Sequence, residues 1–498
     1  MDLFGSWSPV ALEALAALGA GFVLLLDLFT PEGRKARVGA ASVGVAGLLV
    51  LASWFGMQPP EETVVGLSGA LVHDPLSLFL ERVFAVAGLL AVAAARAYED
   101  RLPRGRGEFH FLLLSALCGM FLVSSVGDLI SMFVSVEIVT LSFFVLAAFH
   151  RDTPTGPEAG LKLLVLGALA AAFLLFGSAF VYGATGDVTF GGIGRHVDAL
   201  HGTPPSRVLL FGLLFVLLGL GFKIGMVPMQ VWIPDVYQGS PSPVTAFLAV
   251  GSKAAGFALV IRLVATVAGD SMREPLQILF GALAFATLFY GNLAAIPQTN
   301  IKRLLGYSSI GHCGYLLLGL AALGAQSYDS GTASEGTAAI LFYLLGYAFT
   351  TMAAFLVVIL FSATTGSDEL DDYAGLSKRS PAMAASLAVA LLSLAGVPPL
   401  VGFFGKFMLL RSVSLNGPAG FVLVVAGCIN VVIALYYYLC VVKRMYIHEP
   451  KDPTPLAVPA GTRFLLYSLT GILLVLGVYA GPFVTLATDA AKAAFGAS

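Results

Sequence analysis

Five charged side chains lie inside long apolar stretches of the sequence, where an ionised group is costly. They are Glu137, Lys162, Lys223, Lys253 and Lys406. A charge at the centre of a bilayer costs roughly 2.5 to 3.5 kcal/mol on insertion scales. Carboxyl and amino groups can both bind and release protons. These residues therefore indicate a pathway for protons or other ions.

The electrostatic energy of one such charge pair is large enough to control whether a proton is bound or released. A glutamate carboxylate about 6 Å from a lysine ammonium is stabilised by roughly 3 kcal/mol at an effective dielectric constant near 20. Moving one elementary charge across a membrane costs about 2.3 kcal/mol per 100 mV. Because the two energies are of the same order, separating Glu137 from Lys223 could load or unload a proton. The sequence leaves their distance open.

The backbone around two of these lysines is interrupted. The apolar stretch 208–256 carries Lys223 deep in its run, followed by Pro228 and Pro234, which remove backbone donors and break a helix. Lys253 lies near the centre of the next membrane-length segment. Irregular backbone at membrane depth survives only inside protein or beside water. The stretch therefore predicts a broken helix that lines an ion pathway.

The composition is that of a polytopic membrane protein. Apolar residues make up 58% of the 498 residues, charged residues 11%, and the mean hydropathy is +0.90. The net charge of -2 excludes a basic surface for nucleic acid. The four cysteines stand singly, without the spacing of metal or redox sites. The first residues lack a positively charged leader, so the first helix is expected to stay in the mature protein.

Fourteen apolar runs are long enough to cross a bilayer. We number them spans 1 to 14, and they lie near 9–29, 38–56, 75–96, 108–126, 128–149, 160–184, 208–230, 242–267, 275–296, 303–324, 337–363, 382–410, 418–442 and 464–486.

The charges between the spans predict the orientation. One side receives sixteen Lys and Arg residues, namely Arg34, Lys35, Arg37, Arg96, Arg101, Arg104, Arg106, Arg151, Lys302, Arg303, Lys378, Arg379, Lys443, Arg444, Lys451 and Arg463. The other side receives six, namely Arg195, Arg207, Arg262, Arg273, Arg411 and Lys492. The positive-inside rule then places both termini on the non-cytoplasmic side.

The twelfth span repeats the features of the seventh. Lys406 follows Pro398 and Pro399 there, five helices after the first break. Because five is odd, a five-helix repeat enters the membrane from the opposite side the second time. Spans 4–8 and 9–13 are therefore predicted to be inverted repeats with broken helices 7 and 12, as in transporters. The predicted units are 1–107 (helices 1–3), 108–270 (first repeat), 271–446 (second repeat) and 447–498 (helix 14).

Three strings resemble the antiporter-like membrane subunits of respiratory complex I, the proton-translocating NADH:quinone oxidoreductase. They are FKIGMVPMQVWIPDVYQGSPSPVTAFLAVGSKAAGF, QTNIKRLLGYSSIGHCGYLLLG and ELDDYAGLSKRSPAMAASLAVALLSLAGVPPLVGFFGKF. Within the family the chain resembles the N type. It stops soon after span 14, without the long lateral helix of the L type, and it carries Lys406 where the M type has glutamate. Many relatives have an aromatic residue and histidine where this chain has Met229 and Gln230, so a proton role of that histidine does not carry over.

The resemblance implies roles for the buried charges. Glu137 and Lys223 match the charge pair of the first half-channel, and Lys253 matches the lysine that links to the central axis. Lys406 matches the lysine of the second half-channel. Lys162 matches a further lysine of helix 6, which is expected to bridge the first pair and Lys253.

The resemblance also implies partners. The chain is expected to lie in a bacterial inner membrane beside the M-type subunit and small helical subunits, and to carry no redox centre or other cofactor. NADH, FMN, iron–sulfur clusters and quinone would belong to the rest of the complex, whose quinone reduction drives the protons.

Two other functions stay open. A self-driven cation/proton (Na⁺/H⁺) antiporter subunit shares the fold, although the N-type sequence at 234–247 argues against this function. A pure scaffold subunit would not need several costly buried charges.

Other groups have two interpretations each. His312 could act as a proton relay, because imidazole titrates near neutrality, or could be a hydrogen-bonded core residue. Tyr347 could order water, but a packing role is favoured. Asp74, Glu81 and Arg82 are interpreted as interfacial charges.

Overall fold

The computed structural model describes residues 10–31, 34–57, 60, 63–102, 105–200, 203–267, 271–322 and 332–495. Both chain ends and Arg104, which entered the orientation argument, lie outside these residues. The helices are α1 Ala11–Phe29, α2 Ala36–Leu51, α3 Pro75–Arg96, α4 Arg106–Ser124, α5 Leu129–Ala147, α6 Thr155–Thr185, α7 Phe190–Asp198, α8 Arg207–Ile224, α9 Ile233–Gly239, α10 Ser242–Phe247, α11 Lys253–Val267, α12 Arg273–Ala295, α13 Ile301–Ala322, α14 Thr332–Thr365, α15 Leu376–Arg379, α16 Pro381–Ala395, α17 Val401–Ser414, α18 Gly417–Ile447, α19 Ala460–Val478 and α20 Gly481–Ala494. A short antiparallel hairpin joins β1 Val64–Gly66 to β2 Leu71–His73.

The described residues contain 13 helical segments that are long and apolar enough to cross a membrane. The eighth of them, Ser242–Val267, joins α10 to α11 through a π-helical turn at Leu248–Ser252. The remaining crossing is span 12, which consists of the shorter apolar helix α16 together with α17. The predicted all-α polytopic fold with about fourteen crossings is confirmed.

Both predicted breaks are present, and each begins at a glycine in the left-handed region. Helix α8 ends at Gly225, with φ of 76°, and α16 ends at Gly396, with φ of 91°. A left-handed glycine is a common way to end a helix. The Val227–Pro228 and Pro398–Pro399 peptide bonds that follow are cis. The chain then resumes as α9 in span 7 and α17 in span 12.

The end of the chain differs from the prediction. The apolar run 464–486 is not one helix, because α19 ends at Val478 and α20 begins at Gly481. Pro482 lies in the first turn of α20, where its missing N–H costs no hydrogen bond. Helix α20 folds back and packs against α3 and α14.

Burial separates a protein core from a lipid-facing shell. Nearly all residues of the α10–α11 segment, α13 and α14 are buried, whereas α6 and α19 expose large apolar side chains such as Phe176 and Phe464. A membrane helix with an exposed apolar face is suited to contact lipid tails. The central helices carry Lys253 and His312, so these ionisable groups lie inside protein.

Candidate functional site: a buried row of ionisable side chains

Lys223 lies in the last turn of α8, just before the first break. Its Nζ donates a hydrogen bond to Thr140 Oγ1 on α5. Glu137 lies one turn before Thr140 on the same helix, and its charge acts on Lys223. The structure shows no direct ion pair between Glu137 and Lys223, and the Glu137 Oε1 atom is buried without a hydrogen-bond partner among the described residues. The predicted pair is therefore close but separated.

A small cavity of about 10 Å³ lies beside Lys223. Its walls include Thr140, Lys223, Trp232 and Ser252. Ser252 is the last residue of the π-helical turn and directly precedes Lys253. Such turns inside α-helices are frequent at functional sites. The cavity thus borders both the first break and the residue beside the next lysine.

Lys253 is 3% exposed and is held by one residue of α13. Its Nζ donates to the Ser309 carbonyl and, at 2.6 Å, to Ser309 Oγ. Tyr347 Oη donates to the same Oγ at 3.1 Å, and Tyr237 Oη lies 3.4 Å from it. The Lys253 ammonium also sits 5.1 Å from the centre of the Tyr347 ring. Tyr347, for which a packing role was favoured, is buried and also contributes its hydroxyl to this network.

His312 continues the row one turn further along α13. Its Nδ1 is 2.5 Å from Tyr343 Oη, and its Nε2 is 3.3 Å from Tyr438 Oη. The charges of Lys253 and Lys406 both act on the imidazole. Both ring nitrogens of His312 therefore lie within hydrogen-bonding distance of a tyrosine hydroxyl, and two buried lysines are near enough to act on the ring. These contacts are compatible with a hydrogen-bonded core residue and with a proton relay.

Lys406 closes the second break. Its side chain extends from α17 back to the end of α16, where Nζ donates to Leu394 O at 2.8 Å and to Ala395 O at 3.1 Å. The last carbonyls of a helix have no partner within that helix. The ammonium supplies donors for two of them, at the negative end of the helix dipole. Lys406 also lies 4.5 Å from the Tyr315 ring centre.

Lys162 lies apart from this row. Its side chain is 38% exposed, and Nζ contacts Glu158 and Asp235 at 2.6 Å each. Asp235 on α9 also binds Arg303 of α13 at 2.5 Å. The structure therefore places Lys162 in an exposed ion cluster rather than between Lys223 and Lys253. Asp235 was not singled out by the sequence argument, although it is the only acidic residue of the stretch 208–256.

The described residues contain no group of three or more His, Cys, Asp and Glu side chains that could hold a metal ion. Two other acids, interpreted as interfacial charges, are buried within the protein, where Asp74 is 4% and Glu81 1% exposed. Gln230 is also buried, and its Oε1 has no hydrogen-bond partner among the described residues.

Known proteins resemble the chain over nearly its whole length. The family described as NADH:quinone oxidoreductase/Mrp antiporter, transmembrane, matches residues 126–434. The NADH-quinone oxidoreductase subunit N of Moorella thermoacetica is 40% identical over 481 residues, which cover 96% of this chain and 97% of that protein. A chain of respiratory complex I from Thermus thermophilus superimposes with a TM-score of 0.77 at 31% identity, covering 96% of this chain and 99% of that one. A chain of the archaeal membrane-bound sulfane sulfur reductase gives a TM-score of 0.85 at 25% identity, with 98% of both chains covered.

Proposed function

The chain belongs to the NADH:quinone oxidoreductase/Mrp antiporter membrane family, and on that premise we propose that it is a proton-translocating, non-redox subunit of a bacterial NADH:quinone oxidoreductase. Quinone reduction in neighbouring subunits drives the protons. The bacterial relative over nearly the full length carries the name subunit N of that enzyme, which supports this assignment over the other branches of the family.

The observation that carries the proposal is the row of ionisable groups that runs from the half-buried Lys223 through the buried Lys253 and His312 to the buried Lys406. Lys253 and Lys406 are each 3% exposed and have no ion-pair partner among the described residues. Desolvation of unpaired ammonium groups costs several kcal/mol each. A chain that only filled space would not need to carry these costly charges.

Each member of the row can hold a proton and pass it on. In the first half-channel, Glu137 and Lys223 exchange protons with water that enters at the first break. Lys253 exchanges with the Ser309 hydroxyl, and the hydroxyls of Tyr343 and Tyr438 extend the path from both nitrogens of His312. Lys406 serves the second half-channel.

Charge repulsion couples neighbouring lysines. Two ammonium groups about 10 Å apart repel each other by roughly 1.7 kcal/mol at an effective dielectric constant of 20. This energy is comparable to the roughly 2.3 kcal/mol that one charge gains or loses per 100 mV. A proton that arrives at one lysine therefore favours release from the next. A change in charge that quinone reduction causes at one end of the membrane arm is then passed from lysine to lysine along the row.

The subunit lies in the inner membrane with both termini on the non-cytoplasmic side, beside an M-type subunit and small helical subunits. The NADH, FMN, iron–sulfur and quinone sites belong to other chains of the complex. Lys162, with Asp235 and Arg303, forms an ion cluster at the predicted cytoplasmic end, where protons enter.

The second candidate is a cation/proton antiporter subunit, because the matching family also contains the Mrp antiporters. The two functions differ in what drives the proton. Inverted membrane vesicles from cells with and without this chain separate them. We expect NADH to drive proton uptake only when the chain is present, and a sodium gradient without NADH to drive none. Sodium-driven proton exchange that depends on this chain would overturn the proposal.

A further inference from the structure

A second group of buried ionisable side chains lies at the opposite end of the helices from the Lys162–Asp235–Arg303 cluster. It joins α1, α3 and α11 through Glu13, Asp74, Glu81 and Arg262, which are 6%, 4%, 1% and 8% exposed. His73, at the end of β2, is also buried beside Glu81. The mechanism proposed above uses none of these groups.

Arg262, the arginine of this group, already has an ion-pair partner. Arg262 forms a two-pronged ion pair with Asp74, with N–O distances of 2.9 and 3.0 Å. Two further N–H groups donate to Ser124 O, at 2.7 and 3.1 Å. Asp74 is also the N-cap of α3 and accepts from Ser77 N at 2.7 Å. The hydrogen bonds of Arg262 thus go to Asp74 and Ser124, and none of them reaches Glu81.

Two carboxyl groups have no lysine or arginine in contact among the described residues. Glu13 Oε1 accepts a hydrogen bond from Ser125 Oγ at 2.9 Å. Glu81 Oε1 is 3.9 Å from His73 Nδ1, and Glu81 Oε2 is buried without a hydrogen-bond partner among the described residues. The charges of Glu13 and Asp74 both act on Glu81. The buried, unpartnered Glu81 Oε2 therefore indicates that the site binds a ligand.

The neighbouring cation does not fill that place. Arg82 follows Glu81, but its Nε donates to Ser53 O at 3.1 Å and its guanidinium lies 4.9 Å from the Trp54 ring centre. An isolated buried carboxylate costs several kcal/mol, whereas its protonated form needs no counter-ion. Like-charged carboxylates that share a site cannot all ionise. A proton is the ligand that fits Glu81.

Arg262 brings the edge of this group to a cavity at the same end of the protein. The cavity, of about 690 Å³, is lined by Arg262 together with Thr189, Arg195 and Asp198. It is large enough for several water molecules, each of which takes about 30 Å³ in the liquid. Arg262 thus touches the cavity on one side and Asp74 on the other, and its charge also acts on Glu81.

We propose that Glu81, with Glu13 beside it, is a proton-binding site on the route between the membrane interior and the cavity at Arg262. This inference rests on the proposed function, because it assigns the place where protons leave on the predicted non-cytoplasmic side. In the loaded state the proton is on a Glu81 oxygen. It leaves to cavity water, and the remaining carboxylate is stabilised by Arg262 until a proton from the interior restores the acid.

The test uses the assembled complex in inverted vesicles and three variants, Glu81→Gln, Glu13→Gln and Glu335→Gln. Glu335 is an exposed carboxylate in the first turn of α14 and serves as the matched control. Proton uptake per quinone reduced is measured along with the infrared C=O band of protonated carboxylic acids, identified by its shift in D₂O. We expect Glu81→Gln to remove one such band and to lower proton uptake at least several-fold. Glu335→Gln should change neither.

Other outcomes overturn the inference. An unchanged infrared band in Glu81→Gln would mean that Glu81 is ionised, and normal proton uptake after loss of the band would mean that its proton lies off the route. If Glu81→Gln does not assemble, Glu13→Gln decides, since it should lower uptake and shift the band of Glu81. These failures are distinct from failure of the proposed function, in which the unmodified vesicles themselves show no NADH-driven uptake that depends on this chain.

Discussion

At the scale of single residues, the ammonium of Lys253 depends on one serine. Ser309 accepts from Lys253 through both its carbonyl and its hydroxyl, and the hydroxyl also bonds Tyr347. A hydrogen bond to a charged group contributes roughly 1.5 to 3 kcal/mol. The serine hydroxyl therefore helps set how readily Lys253 holds and releases its proton.

We predict that Ser309→Ala lowers NADH-driven proton uptake by roughly tenfold, which corresponds to about 1.4 kcal/mol, while the complex still assembles. The Ser309 carbonyl remains, so the fold tolerates the change. Ser178→Ala is the matched control, because Ser178 Oγ only donates to Leu174 O of its own helix α6. Equal uptake in the two variants would show that the hydroxyl takes no part.

Lys406 combines a structural role with a chemical one, and two substitutions separate them. Lys406→Ala leaves the Leu394 and Ala395 carbonyls without their donor, so we expect it to destabilise the protein by roughly 1 to 3 kcal/mol. Lys406→Gln keeps N–H donors but has no group that binds and releases a proton. It should retain most of the thermal stability of the purified complex and still lose proton uptake. Normal uptake in Lys406→Gln would remove Lys406 from the pathway.

At the scale of elements, the broken helices depend on a backbone conformation. Gly225 ends α8 with φ of 76°, and a Cβ there would lie 2.3 Å from Ile233 Cδ1 of α9. A residue with a Cβ pays roughly 1 to 2 kcal/mol in the left-handed region. The glycine therefore fixes where the first helix stops and its second half begins.

We predict that Gly225→Ala and Gly183→Ala have opposite effects on thermal stability. Gly225→Ala should lower the unfolding midpoint of the purified complex. Gly183 lies inside α6 with nothing within 4 Å of an added Cβ, so alanine there should stabilise the helix by up to about 1 kcal/mol. A neutral Gly225→Ala would mean that the break adapts without strain.

The breaks and their lysines were predictable from the sequence, and the partners of the lysines were not. A proline in the interior of an apolar helical run, such as Pro228 or Pro399, breaks the helix, and a lysine in such a run is costly in any fold, so both signals are local. Ser309, Tyr343 and Tyr438 come from three helices, and spacing within one helix says nothing about which residues face it. The separation of Lys162 from the row was unpredictable for the same reason, because its partner Asp235 lies on a different helix, α9.

At the scale of the whole molecule, the number and kind of crossings followed from hydropathy, but burial within the bundle did not. Asp74 and Glu81 lie near the start of α3, where position alone favours an interfacial side chain. Instead, Asp74 pairs with Arg262 of α11, and Glu81 lies beside His73 of β2, inside the protein. Similarly, the run 464–486 gave no sign that α20 would fold back onto α3 and α14. The division into four units and the orientation stay predictions.

The orientation can be tested with two exposed threonines. Thr153 lies between α5 and α6, on the predicted cytoplasmic side, and Thr203 lies between α7 and α8, on the predicted outer side. Each is replaced by cysteine and treated with a membrane-impermeant maleimide. We expect Thr203→Cys to react in spheroplasts and Thr153→Cys only in inverted vesicles, with the unmodified protein as the blank. The reverse pattern would place both termini in the cytoplasm.

The central claim is that the buried lysines of this chain are required for coupled proton transfer. The most direct test compares Lys223→Ala with Lys378→Ala, whose lysine is exposed and pairs with Glu449 at 2.6 Å outside the row. After assembly is verified, NADH-driven quinone reduction and proton uptake are measured in the same vesicles. The account predicts that both activities fall steeply in Lys223→Ala and stay at the unmodified level in Lys378→Ala. Unmodified rates of both activities in Lys223→Ala would contradict it.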